Sequence, residues 1–306
     1  MMIQALANLI VLAAAADPTV LVVRGAAGTP EYGRQFESWA ADWERAAKLG
    51  SARFQSIASR EELQKQLAGD AEEPTAPLWI VMIGHGTFDG KQAKFNLSGP
   101  DVSAVELSEW LQPLRRPLVI LCCFSSSAPF INRLSAPGRV VVTATKSGHE
   151  QNFSRFGGFL SRAVVDQQAD LDKDHQTSVL EAFLIASRQL EDWYAQDARL
   201  ATEHALIDDN GDGSGTPASW FRGHRAVRQA KGAGMVDGQL ARRVHLIESP
   251  DEQSLSAELR QRRDALEMQL EKLRVQKQEL AEDDYYEKIQ EVLVQLARLY
   301  EDENAE

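Results

Sequence analysis

Two residues of this 306-residue chain stand where a fold can present reactive groups. His85 lies between Gly84 and Gly86, directly after the apolar run 77–83, and Cys123 follows the apolar run 117–121. A thiol becomes a nucleophile when a neighbouring imidazole takes its proton or stabilises the thiolate. Backbone N–H groups must then hold the oxyanion, and those of Gly86 and Cys123 are the candidates. Ser125, Ser126 and Ser127 make the next turn small and polar, which leaves room for a peptide. Together these groups suffice for acyl transfer. The same positions also admit a non-catalytic reading, in which a cysteine at a strand end is a small buried hydrophobe and the histidine is structural. That reading suits Cys122. Cys122 and Cys123 are the only cysteines, and adjacent residues rarely bridge. No Gly-x-Ser-x-Gly elbow is present. The remaining histidines, His149, His175, His204, His224 and His245, lack paired zinc-ligand spacing.

The elements that would position this pair are legible as runs. Residues 20–23, 77–83 and 117–121 are continuously apolar, 139–144 is a similar run with Val140, Val141 and Val142 at its centre, and 51–58 is a weaker strand candidate. Helical spacing falls between them, with Phe36, Trp39, Trp43 and Ala47 on one stripe and a second helix over 61–67. Continuous apolar strands alternating with helices predict an α/β fold, a mostly parallel sheet with helices on both faces. Such sheets collect functional groups beyond the carboxyl ends of their strands, where His85 and Cys123 stand. Residues 156–197 read as helical. Beyond Pro250, Leu259, Leu266, Leu273 and Leu280 recur every seventh residue with Leu270 widening the stripe, and Ile289, Leu293, Leu296 and Tyr300 resume it. This predicts a C-terminal helical hairpin or coiled coil whose stripe packs on the body or on a second copy, giving a homodimer through 255–300.

Composition bounds the rest. A net charge of −12 disfavours nucleic acid and anionic membrane as partners, both of which reward clustered Lys and Arg. Residues 5–12 are apolar apart from Asn8, and Ala13, Ala14, Ala15 and Ala16 precede Asp17, so 1–16 reads as a secretory signal. Export to a periplasmic or extracellular location follows, or a cytoplasmic one if the segment is not a signal. The run is short for a membrane span. The domain division is 1–16, then 17–248 with a helical extension over 157–216, then a tail over 249–306.

Ile83-Gly84-His85-Gly86-Thr87 and Leu121-Cys122-Cys123-Phe124-Ser125-Ser126-Ser127, each after an apolar strand, resemble the motifs of legumain-like cysteine peptidases, which share the caspase-like fold. The family's nucleophile motif, similar to Ala-Cys-Glu-Ser-Gly-Ser, falls on Cys123 with Ser125 and Ser127 in register. The segment from Thr143 to Glu150 resembles the following strand and substrate-pocket loop. There the resemblance implies a substrate-binding role for Glu150, with Ser147 beside it and Arg34 at or beside the pocket arginine. It covers roughly residues 18–165 and implies a cysteine endopeptidase that cleaves peptide or protein substrates after Asn or Asp and needs no organic cofactor. Two positions depart from the family: Ala27 stands where an orienting Asn is common, and Ser126 replaces a Gly.

Two acidic loops remain. Asp170, Asp172, Asp174, Gln176, Ser178 and Glu181 occupy positions one, three, five, seven, nine and twelve of an EF-hand-like Ca2+ loop, with His175 where the turn wants glycine. The competing reading is a helix start, with Ser178 and Glu181 as a capping box. Asp208, Asp209, Asn210, Gly211, Asp212 and Gly213 read as a solvated turn, because Ser219 stands where the bidentate Glu would be. A chain that cuts after Asn would find Asn210–Gly211 a self-processing site. From a different class, the rival to the enzyme is a catalytically degenerate caspase-like interaction module that dimerises through its tail.

Overall fold

A computed structural model describes residues 17–69, 76–230 and 236–303, so the signal-like segment 1–16 lies outside the described residues. The first elements are β1 (Thr19–Arg24), α1 (Pro30–Leu49), β2 (Arg53–Ile57), α2 (Arg60–Gly69) and β3 (Leu78–Gly84). Short strands β4 (Gly86–Phe88), β5 (Ala93–Phe95) and β6 (Val102–Ser103) lead to α3 (Ala104–Leu111). Then come β7 (Leu118–Phe124), α4 (Ile131–Leu134), β8 (Arg139–Thr143), α5 (Phe156–Ala163), α6 (Val179–Gln196), β9 (Leu206–Asp208) and β10 (Thr216–Pro217). The chain ends in α7 (Pro250–Ser254), α8 (Ala257–Val275) and α9 (Glu282–Glu303).

The predicted mostly parallel sheet is present. Its seven strands run in the order β10-β9-β8-β7-β3-β1-β2. Every pair from β8 to β2 is parallel, and β9 and β10 add an antiparallel edge. Alternation along the central strands gives each face its own core. Trp79, Val81, Ile83, Val119, Leu121 and Cys123 face α1, α5 and α6. Ile80, Met82, Ile120, Cys122 and Phe124 face the opposite way, against α2, α3 and α4. The two adjacent cysteines therefore serve different layers. Cys122 is the buried hydrophobe that its position suggests.

Loop chemistry sets where α1 begins. The hydroxyl of Thr29 accepts the N–H of Tyr32, and Pro30 opens the first turn. Phe36, Trp39 and Trp43 then bury one stripe of the helix on the sheet. No described helix is long and apolar enough to cross a membrane.

Three features depart from the sequence reading. Strands β4 to β6 form a separate small sheet, too short to show as runs. Residues 206–217 return to the main sheet as β9 and β10, although the reading placed a helical extension over 157–216. In the hairpin, Leu266, Leu270, Leu273, Val292 and Leu299 pack within one chain. Leu293, expected on that stripe, is 47 % exposed. Helix α9 starts afresh at Glu282, so the seven-residue count through Leu280 does not carry into it and Val292 takes the inner position.

Candidate active site

His85 leaves the end of β3, and Cys123 is the penultimate residue of its neighbour β7. The ladder pairs Ile83 with Cys123. Alternate residues share a face, so His85 emerges on the face that carries Cys123, one same-face step further along.

The imidazole is fixed from several sides. Its Nε2 lies 3.2 Å from the carbonyl oxygen of Ala27, in the turn between β1 and α1. A carbonyl only accepts, so Nε2 carries a proton and Nδ1 is the nitrogen left to face a substrate proton. The rings of Tyr32 and Phe36 meet the imidazole edge-on, with centroids at 5.1 and 5.4 Å. Phe153, stacked on Tyr32 at 4.2 Å, closes a third side.

Cys123 is 1 % exposed. Burial pushes its thiol well above the usual range, and the carboxylate of Glu203 pushes it further. Helix α5 lies directly against it: a Cβ on Gly157 would stand 2.7 Å from the Cys123 Cβ, so only glycine permits this approach. The thiol as described is neutral and covered.

Gly86, the expected oxyanion donor, has its N–H on the Ser125 hydroxyl at 3.1 Å, and that hydroxyl donates back to the Gly86 carbonyl at 3.2 Å. The two strand exits are thus clamped together. The serine turn is not open room for a peptide, because Ser125, Ser126 and Ser127 are all buried. Ser127 bonds the backbone and hydroxyl of Thr145, and the Ser126 N–H donates to the Glu150 carbonyl at 2.8 Å. Ser126 takes φ +57°, the left-handed region that a glycine would favour, and its buried hydroxyl has no hydrogen-bond partner.

The pocket residues separate. Glu150 reaches the site through Ser126, but its carboxylate binds Nδ1 of His204 at 2.6 Å and the N–H of Lys146 at 2.9 Å. Ser147 accepts the N–H of His149 and lines a small depression with Ala128, Lys146 and Gly213. Arg34 is exposed on α1, and no ion pair joins it to Glu150.

In the acidic loop, carboxylate oxygens of Asp170, Asp172 and Asp174 converge, all within 4.8 Å of one another. The other three expected ligands serve the protein. Gln176 accepts the N–H of Ser249, and Ser178 with Glu181 forms the capping box of α6. Glu181 also accepts the N–H groups of Leu171 and Asp172.

Sequence reasoning missed Tyr32, Phe153, Glu203 and His204. Glu203 is 3 % exposed and holds Ser154, the N–H groups of Arg155 and Phe156 at the start of α5, and the Tyr194 hydroxyl. Its only signal was a charged pair, Glu203-His204, just before a short apolar run.

Among solved structures, the chain is similar to the Drosophila initiator caspase Dronc, with TM-score 0.43 and 13 % identity over 65 % of this chain and 81 % of that one. It is also similar to caspase-1 from Spodoptera frugiperda, with TM-score 0.42 and 9 % identity over 64 % of this chain and 87 % of that one. No family model matches the chain, and no curated protein matches it.

Proposed function

We propose that the chain is a cysteine peptidase of caspase-like type, with Cys123 as nucleophile and His85 as its proton partner. The observation that carries this reading is a carbonyl-anchored imidazole directly after β3 beside a thiol at the end of the adjacent strand β7. Nδ1 of His85 takes the Cys123 proton, and the thiolate sulfur attacks a peptide carbonyl. The N–H of Gly86, once Ser125 releases it, and that of Cys123 hold the oxyanion. The imidazolium returns its proton to the leaving amine, and water then hydrolyses the thioacyl-enzyme. Cleavage after Asn or Asp belongs to the same proposal, with Glu150, Ser147 and Arg34 as its substrate-binding residues.

Reaction requires the covering groups to part: the start of α5 lies against Cys123, and Phe153 lies against His85. A peptidyl electrophile tests the reading. Covalent labelling mapped to Cys123, retained in Cys122→Ser and lost in His85→Ala, is the expected result. The burial of Cys123 favours a second reading, a non-catalytic module on the same fold. Failure of Cys123 to label under reducing conditions, in a chain whose melting is cooperative, decides for the module.

A further inference from the structure

Near the start of α6, three carboxylates and one imidazole converge for which the catalytic reading has no use. Asp170 is buried, and its carboxylate accepts the N–H of Lys173 at 2.6 Å and of His175 at 3.1 Å. Both donors sit in the left-handed region, at φ +68° and +67°, and so wrap the loop around the Asp170 oxygens. The oxygens of Asp172 and Asp174 complete a group all within 4.8 Å.

The second observation comes from a distant segment. His245 is 12 % exposed at its side chain, and its Nε2 is closed to solvent without a hydrogen-bond partner. That nitrogen lies 3.9 Å from an Asp174 carboxylate oxygen. Its backbone is pinned there, because His245 bridges Ser178 and the Val244 carbonyl accepts the Val179 N–H at 2.9 Å. A buried imidazole nitrogen without a partner costs free energy until something binds it.

We infer that Asp170, Asp172 and Asp174 bind one divalent first-row transition cation whose coordination shell is completed by Nε2 of His245. The mixed set favours this class: carboxylates suit Mn2+ and imidazole suits its heavier neighbours, whereas Mg2+ and Ca2+ take oxygen. The separation of 3.9 Å between nitrogen and oxygen is spanned by one ion at about 2.1 Å from each. This replaces the all-oxygen loop of the sequence reading, because Glu181 is committed to backbone N–H groups. The ion would tie the loop at 170–176 to the segment that leads into the hairpin. It is independent of what Cys123 does.

The test uses the full chain, stripped with EDTA and titrated with Mn2+ while the signal of free Mn2+ is followed by electron paramagnetic resonance. One bound equivalent is expected, with an echo-modulation signature of directly coordinated 14N. His245→Gln should abolish that signature, and Asp172→Asn, at an exposed position, should weaken binding tenfold or more. Cys123→Ala should leave both unchanged. Absence of stoichiometric binding overturns the inference. So does bound Mn2+ whose nitrogen signature survives His245→Gln, or a site that takes Ca2+ alone and ignores His245→Gln.

Discussion

Nε2 of His85 donates its proton to the carbonyl oxygen of Ala27 at 3.2 Å, so a backbone group performs the orienting task for which the sequence offered no side chain. The same carbonyl accepts the N–H of Thr29 at 2.8 Å, which fixes its direction. Fixing this proton leaves Nδ1 as the base.

Gly28, next in the chain, has φ +70°, and a Cβ there would lie 3.9 Å from Nε2, clear of any clash. Gly28→Val therefore acts through the backbone. A branched residue in the left-handed region costs about 1–2 kcal/mol, and the turn rotates to relieve it. Labelling of Cys123 should slow by up to about tenfold, since 1.4 kcal/mol is one decade. The melting midpoint should fall only modestly. An unchanged labelling rate would show that the Ala27 carbonyl does not orient the base.

How much of this was legible follows from what side chains declare. The runs at 20–23, 77–83 and 117–121 announced the central strands, because strands buried on both faces cannot alternate. His85 and Cys123 were visible as the residues that end them. The carbonyl of Ala27 was not, since every residue carries one and only the fold says where it points. The Glu150–His204 pair was hidden for a related reason: the partners are far apart in sequence and joined by tertiary pairing of β8 with β9. The serine turn was read as open, but hydrogen bonds fill it. Polarity alone does not distinguish solvent from a buried network.

That turn contains strain that can be measured. Ser126 combines φ +57° with a buried hydroxyl that has no partner. Ser126→Gly relieves both, against the extra chain entropy of glycine in the unfolded state, so the net gain should be about 1 kcal/mol. A rise in the urea midpoint at an unchanged m-value is the expected readout. A fall would mean that the hydroxyl is satisfied in solution.

Glu203 controls the thiol from beneath α5. Its carboxylate holds the N–H groups of Arg155 and Phe156, and its charge raises the Cys123 pKa after burial has done most of the work. Glu203→Gln keeps an acceptor oxygen and removes the charge. The pH profile of Cys123 alkylation should then move to lower pH. A shift of half a unit is about threefold in rate at neutral pH. Burial also raises Glu203 itself, so in acid the wild-type carboxyl is neutral and the two profiles should converge. Parallel profiles across the whole range would detach Glu203 from the thiol.

A second buried acid governs stability against pH. Asp237 is 3 % exposed, accepts the N–H of Asp209 at 3.0 Å and the Thr216 hydroxyl at 2.5 Å, and is raised to about 7 by burial. Asp209, beside it, accepts the N–H groups of Gly238, Leu240 and Ala241 and is raised as well. A carboxyl whose folded value lies above its unfolded one binds more protons in the folded state. Its contribution is complete below about 4 and is lost as pH rises towards 7. The loss is on the order of a few kcal/mol for the pair. Asp237→Asn removes this titration while an amide oxygen still accepts one of the two hydrogen bonds. The wild-type urea midpoint should therefore fall from pH 5 to pH 8 by more than that of Asp237→Asn. Equal falls in the two chains would mean that Asp237 is ionised throughout, and that the hydrogen bonds from Asp209 and Thr216 outweigh its burial.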